Sequence, residues 1–431
     1  MDPSESPAPP AEAAAPERQP TLDELAEFAP QWAIFWAGWV VPSQFAIWRP
    51  YIARSRYRWL VIGRSGPPHA DVLAAIAAMP NVRLVIVDDA SIRALKRLPS
   101  LAGFCYVLGF KTATFANVNT FRNHAHVWVG HGESAKLSSA PRSASIYDAI
   151  FIARYRHLSR FPRPIRPWVS RNACAIGAPM VEGIEPDPWT KPRPIRTVLY
   201  APTWEGYSKS TNYSSLDEAG RRLAASLPEL TERGIRVIIR PHPKVSGQSI
   251  VERSGVERIV AAGAILGQDK LADFREADLM ISDISGVTAE WLLTEKPSIM
   301  PTSERLTGIG RSPSRLEREY PWMYQWDFAR EDISTLLDRI QTDDPLRSVR
   351  RSASRSIYRR HRSLDEASKT FDLALSALQF RKTRIPVRWA FEVLRLPGMG
   401  TVRNIIRRVR SPIARRRSPG QRQRRASRSS G

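Results

Sequence analysis

Four short stretches of the sequence gather residue types that can hold phosphate or move a proton. Ile281 to Pro297 reads ISDISGVTAEWLLTEKP. Its apolar lead-in Leu279-Met280-Ile281 predicts the end of a buried strand, Ser282-Asp283-Ile284-Ser285-Gly286 a polar turn, and the residues from Val287 a helix stopped at Pro297. A strand that delivers Ser and Gly onto a helix start offers unpaired N–H groups, two hydroxyls and a positive dipole end, which together make a phosphate seat. An ordinary helix cap uses the same residue types, so this turn alone leaves both readings open.

The other three stretches also follow apolar runs. Gly130-His131-Gly132-Glu133-Ser134-Ala135-Lys136 comes after the run at 127–129. Glycines on both sides let another backbone approach the histidine, and imidazole suits proton transfer near neutral pH. In Arg240-Pro241-His242-Pro243-Lys244 two prolines stiffen a turn that presents Arg, His and Lys together, a set that binds phosphate. Tyr200-Ala201-Pro202-Thr203-Trp204-Glu205 adds a hydroxyl able to meet a phosphate or ribose, and a flat indole face. A lone histidine is usually structural. Here two of the chain's seven each follow a strand with a cation close behind, which favours function. His124 and His126 flank a strand entry and are left unassigned. The sequence has no CxxC, HExxH or spaced carboxylate cluster, so neither a metal site built by the protein nor a cofactor is expected; an ion carried by a diphosphate stays open. The lack of a Walker lysine motif argues against a P-loop NTPase. Gly63-Arg64-Ser65-Gly66 falls short of a dinucleotide fingerprint and reads as a turn.

Positioning these stretches requires strands. Apolar runs at 57–62, 82–87, 104–108, 127–129 and 149–152, with the helix-like ADVLAAIAAM between the first two, predict one parallel, doubly wound sheet. That sheet closes around Ala173 to Gly177. A second alternation begins at 197–200 and continues through 237–239, 264–266 and 279–281. The Pro-rich stretch 186–194 is the linker between them. The predicted fold class is therefore α/β and GT-B-like: two Rossmann-like domains facing a central cleft, with N- and C-terminal extensions. Ligands of such sheets sit beyond the carboxyl ends of the strands, where all four polar stretches fall. The expected division is a disordered leader at 1–20, a Trp-rich helical segment at 21–56, an acceptor domain at 57–185, the linker, a donor domain with closing helices at 195–380, and a basic tail at 381–431.

The chain has 431 residues and a formal net charge of +23. Residues 381–431 carry sixteen Arg and Lys against the single acid Glu392, leaving the body only mildly basic. This weakens a nucleic-acid reading of the whole protein. Val387, Ala390, Phe391 and Leu394, and again Val402, Ile405, Ile406 and Val409, are spaced as basic amphipathic helices, a pattern suited to an anionic membrane surface; solvated disorder and RNA binding stay open for the final residues. Between Phe28 and Trp48 there is no charged residue and there are six large aromatics after Phe28, which fits a core-packing helical hairpin, a membrane-interfacial segment or, third, a true membrane span. The first twenty residues lack the regions of a secretory signal. Cys105 and Cys174 lie in apolar runs and read as core filler.

Taken in order, the HG-x-x-x-K box at His131 to Lys136, YAPTW at Tyr200 to Trp204, RPHP at Arg240 to Pro243, and S-D-x-S at Ser282 to Ser285 with Lys296-Pro297 downstream resemble the CDP-glycerol glycerophosphotransferase family of teichoic-acid polymerases and primases. The resemblance covers roughly residues 125–300. It implies a GT-B fold, a CDP-activated polyol phosphate as donor, a lipid-linked or polymeric acceptor, and peripheral work at the cytoplasmic face of the cell membrane. It also implies a catalytic role for His131 and phosphate contacts from the RPHP and S-D-x-S motifs: Arg240, His242, Ser285 and Gly286, with Thr203 nearby. Lys136 is then expected at the acceptor or a phosphate. The chain departs from the family pattern at Gly286, where a second Ser is common, and in the apolar Thr-Pro pair replaced within GESAK. A nucleotide-sugar glycosyltransferase and a non-catalytic membrane or nucleic-acid adaptor are the competing readings.

Overall fold

The computed structural model describes residues 19–35, 42–64, 70–88, 91–107, 117–130, 140, 142–153, 155–177, 183–187, 189–205, 212–242, 245, 250–302, 313–358, 361 and 363–379. Within them, thirteen strands form two sheets, and every strand pairing is parallel. The first sheet contains β1 (Trp32–Phe35), β2 (Trp59–Arg64), β3 (Val82–Val87), β4 (Gly103–Tyr106), β5 (Ala125–Trp128), β6 (Ala149–Ile152) and β7 (Ala173–Ala175), in the order β3-β2-β1-β4-β5-β6-β7. The second contains β8 (Thr197–Ala201), β9 (Arg236–Ile239), β10 (Ile265–Leu266), β11 (Leu279–Ser282), β12 (Ser298–Thr302) and β13 (Tyr324–Asp327), in the order β10-β9-β8-β11-β12-β13. Both sheets run outward one way, return to the middle and run out the other way. Each therefore has a topological switch point, between β1 and β4 and between β8 and β11.

Apolar side chains leave each strand alternately and meet a packed core on either face, which is why the central strands read as unbroken apolar runs. Trp32, Ile34, Trp59, Val61 and Cys105 enter one core, and Ala33, Phe35, Leu60, Ile62 and Phe104 enter the other. In the second sheet Leu199, Ile238 and Met280 face one way, with Val198, Tyr200, Val237 and Ile281 on the other side.

The expected helical, interfacial character of residues 21–56 needs correction. Leu22–Phe28 and Pro42–Arg54 are helices, but Trp32–Phe35 is an interior strand of the first sheet, paired with β2 and β4. All four of its residues are at most 1% exposed. The first domain thus starts near residue 21 and not at 57. Within the charge-free run, the apolar character of Trp32–Phe35 reflects burial on two faces of a sheet. Among the described residues no helix is long and apolar enough to cross a membrane. Residues 1–18 of the expected leader at 1–20, and the whole tail at 381–431, lie outside the described residues.

A second correction concerns the closing helices. Leu364–Gln379 follows the second sheet in sequence yet packs on the first, beside the helix Pro42–Arg54. Its Phe371 ring lies 5.6 to 5.8 Å, centroid to centroid, from those of Trp48, Tyr51, Trp59 and Phe151. Asp372 accepts hydrogen bonds from Ser55 Oγ at 2.6 Å and Arg56 N–H at 2.8 Å, and Ser368 Oγ donates to Tyr51 O at 3.0 Å. Burial raises the Asp372 carboxyl above the usual carboxylate range, opposed by those two donors. The preceding helix Arg347–Ala353 stays with the second domain. Arg350 there is fully buried against the carboxylate of Asp344 and also donates to Glu295 O at 3.2 Å, while Tyr324 OH donates to Asp344 Oδ1 at 2.5 Å.

Candidate functional site

The middle of the second sheet is where chain order reverses, the place at which open α/β sheets bind ligands beyond the strand ends. Thr203 follows β8, and Asp283, Ser285 and Gly286 follow β11. Two side chains tie these exits together. Ser282 Oγ donates to Ala201 O at 2.8 Å. Asp283 accepts the Thr203 N–H at 2.7 Å on one carboxylate oxygen and the Ser215 N–H at 3.1 Å on the other. Thr203, Asp283 and Ser285 are all buried. The charge of Asp283 reaches Tyr200, whose phenol burial already pushes well above its ordinary range and whose OH pairs with Ser215 Oγ at 2.9 Å. Asp283 is thus a strut between motifs 80 residues apart. Sequence reasoning assigned it no role.

β9 lies beside β8, and Arg240 leaves its end with its N–H on Tyr200 O at 2.8 Å. The guanidinium donates from Nη1 to Asp273 Oδ2 at 2.6 Å. Burial raises the Asp273 carboxyl, and Arg240 opposes that rise. Gly267, whose N–H bonds to Ile239 O, leaves the space that the Asp273 carboxylate occupies; a Cβ there would collide with it. His242 sits in the same exit, its ring 6.2 Å from that of Trp204, so the RPHP and YAPTW stretches touch. Thr203, Arg240, His242, Ser285 and Gly286 therefore all leave the carboxyl ends of three neighbouring strands.

The helix after Gly286 is short, Val287–Leu292, with no side-chain cap; Thr288 Oγ1 donates to Ser285 O at 2.7 Å. Its Glu290 holds Lys270 at 2.8 Å. Lys296 is nearly buried, and its ammonium donates to the carbonyls of Phe274, Arg275 and Ala277 at 3.0, 3.0 and 2.7 Å. It closes the end of the helix Lys270–Glu276, where a cation also complements the dipole. Burial depresses its pKa, with the charge of Asp187 opposing.

In the first sheet, β5 leads through Val129 to Gly130. Gly130 has φ +71°, a left-handed conformation that suits glycine, and its N–H bonds to Tyr106 O at 3.1 Å. His131 and Lys136 lie outside the described residues. The two unassigned histidines are structural. His126, inside β5, accepts from Tyr106 OH on Nδ1 at 2.8 Å and donates from Nε2 to Phe121 O at 3.0 Å, with its ring stacked on Phe104. Those partners fix the neutral tautomer, and burial pushes its pKa down to about 4. His124 packs edge-on against Phe104 and Phe121, and burial lowers its pKa too. Among the described residues, no three or more His, Cys, Asp or Glu gather closely enough to hold a metal ion.

Two Rossmann-like sheets with this strand order, the second followed by a helix that returns to the first, define the GT-B fold. Residues 190–306 match the family model described as CDP-Glycerol:Poly(glycerophosphate) glycerophosphotransferase. Thr203, Arg240, His242, Ser285 and Gly286 fall inside the match; His131 and Lys136 precede it. Among solved structures, a putative UDP-N-acetylglucosamine 2-epimerase from Listeria monocytogenes is similar over 80% of this chain and 96% of its own, at TM-score 0.54 and 11% identity. MnaA of S. aureus, solved with UDP, is similar over 82% of this chain and 98% of its own, at TM-score 0.53 and 10% identity. Both share the fold. The wall teichoic acid polymerase TagF aligns over 83% of this chain and 92% of its own, at TM-score 0.47 and 12% identity. No curated protein matches the sequence.

Proposed function

We propose that the protein transfers glycerol phosphate, or a related polyol phosphate, from a CDP-linked donor to a hydroxyl of a lipid-linked or polymeric acceptor and releases CMP. The observation that carries this reading is the gathering of Thr203, Arg240, His242, Ser285 and Gly286 at the β8–β11 switch point, inside the stretch that matches the glycerophosphotransferase family. Arg240 and His242 meet the negative charge of the diphosphate, and Ser285, Gly286 and Thr203 supply polar contacts. Such charge neutralisation and positioning are most of what phosphoryl transfer requires.

His131 takes the proton of the acceptor hydroxyl. The hydroxyl oxygen then forms a bond to the phosphorus bearing the polyol, the bond from that phosphorus to the bridging oxygen breaks, and CMP departs with that oxygen. Lys136 meets a phosphate of the acceptor. The basic tail at 381–431 holds the protein at the anionic, cytoplasmic face of the membrane, where a lipid-linked acceptor resides.

The test is CMP release from CDP-glycerol in the presence of acceptor-bearing membranes, with CDP-ribitol and UDP-sugars as competing donors. The expected result is turnover with a CDP-polyol, and a loss of about a hundredfold to ten-thousandfold in His131→Ala, as for removal of a general base. Turnover with UDP-sugars alone would replace this reading with a glycosyltransferase. Full CMP release by folded His131→Ala would remove the histidine from the chemistry.

A further inference from the structure

Arg240 Nη1 donates to Asp273 Oδ2 at 2.6 Å, and the two side chains are 24% and 9% exposed. Among the described residues the guanidinium meets no other protein group. A guanidinium carries five N–H donors in one plane, so a short anchor at one of them restrains the whole fork and leaves the others for an anion. The anchor is itself fixed. Asp273 sits in the helix Lys270–Glu276, which the Asp269 carboxylate caps on the Ala272 N–H at 2.8 Å. At its other end the carbonyls are held by Lys296. Two contacts join this helix to the one that follows Ser285 and Gly286: Lys270 Nζ meets Glu290 Oε2 at 2.8 Å, and the Phe274 ring packs edge-on against Trp291 at 5.1 Å. Glycine at 267 completes the arrangement, since a Cβ there would overlap Asp273 Oδ2 and press on Ile238 Cγ2 at 3.2 Å.

We propose that Asp273 is a positioning residue that aims Arg240 at the donor diphosphate and holds it at a set distance from the Ser285–Gly286 turn. The proposal rests on reading Arg240 as a phosphate contact. A pair that served stability alone would gain nothing from the donors Arg240 keeps open, or from a carrier helix bonded to the one behind the polar turn. Ordering the long arginine side chain before the donor arrives removes a cost that binding would otherwise carry.

The test uses two substitutions in the full chain that keep the charge at Asp273 and move it: Gly267→Ala, which crowds the carboxylate, and Asp273→Glu, which lengthens its reach. Each should raise the KM for CDP-glycerol about threefold to tenfold, the cost of ordering one long side chain during binding, with kcat and the KM for acceptor held within about twofold. Calorimetric binding of pyrophosphate should weaken by a similar factor. In an Arg240→Met background, Gly267→Ala should weaken CDP-glycerol binding no further, because its effect passes through the guanidinium. Urea unfolding checks that each variant is folded, and if Gly267→Ala is not, Asp273→Glu takes its place in both backgrounds. Equal weakening in the Arg240→Met background would make the effect one of packing and overturn the proposal. Unaltered donor binding in the folded variants would overturn it too, as would tighter binding, which would mean that Asp273 withholds Arg240 from phosphate. If the parent binds pyrophosphate but turns over no CDP-polyol, the functional reading fails on its own, and the pyrophosphate comparison still decides whether Asp273 aims Arg240 at phosphate. A parent that binds neither pyrophosphate nor CDP-glycerol would overturn the phosphate role of the pair.

Discussion

Replacing Asp283 by Asn tests whether the S-D-x-S aspartate is a strut or a ligand. The carboxylate accepts two backbone N–H groups, from Thr203 at 2.7 Å and Ser215 at 3.1 Å, and is 2% exposed. An amide of the same shape keeps one acceptor oxygen and turns an NH2 group against the other N–H. One charge-assisted hydrogen bond is lost, a buried donor faces a donor, and the surviving bond becomes neutral. Each charge-assisted bond contributes about 1.5–3 kcal/mol and an orphaned buried donor costs about 1–3 kcal/mol, so a net loss of about 2–4 kcal/mol is expected after relaxation. Urea unfolding followed by tryptophan fluorescence reads it directly, since Trp291, Trp322 and Trp326 lie in the same domain. The Thr203 loop should loosen in parallel, weakening donor binding measured calorimetrically with CDP-glycerol. A variant as stable as the parent to within about 0.5 kcal/mol, the range of ordinary surface substitutions, would refute the strut.

Three further outcomes follow from the packing. Arg350→Met leaves Asp344 buried without its cation and should destabilise the second domain by about 3–5 kcal/mol in urea unfolding; a change below about 1 kcal/mol would contradict the buried pair. Phe371→Ala should cost about 3–5 kcal/mol and lower the unfolding midpoint of the first domain, although residue 371 follows the second in sequence. His126 supplies a pH dependence: its folded-state pKa of about 4 lies below the ordinary 6.5, so the unfolded chain binds the proton first as pH falls. Stability is retained above pH 6.5 and drains away between 6.5 and about 4, by roughly 2 kcal/mol at pH 5 at 1.36 kcal/mol per unit, and His126→Gln should lack that part of the slope.

Much of this architecture was legible because its cues are local. The runs at 57–62, 82–87, 149–152, 197–200 and 279–281 each became a strand, and the division into two sheets stands. Trp32–Phe35 misled because a strand buried on both faces has no polar alternation, and the nearby Pro30 and Pro42 disguised it further. β12 was missed since Pro301 argues against a central strand. β13 was missed since its burial alternates over only four residues. Which sheet the helix Leu364–Gln379 closes depends on Asp372 meeting Ser55, a contact 317 residues distant that no periodicity encodes. The candidate site divides the same way. Arg240, His242 and Thr203 were visible as residue types after strands. The work of Asp283 and Lys296 was not, because their partners are backbone groups that come near only in the fold. Asp273 lies outside the motif stretches, and its one local cue was the spacing Gly267-x-x-x-x-x-Asp273 after a strand.

The central claim is that one donor diphosphate is held at the β8–β11 switch point. A crystal structure of the protein with CDP-glycerol, or with CMP and pyrophosphate, tests it most directly. The expected result is a diphosphate within hydrogen-bond distance of Arg240, His242 and Ser285, with the His131 imidazole facing the phosphorus that bears the polyol. A nucleotide bound at another sheet edge, or one that leaves Arg240 and Ser285 untouched, would contradict it.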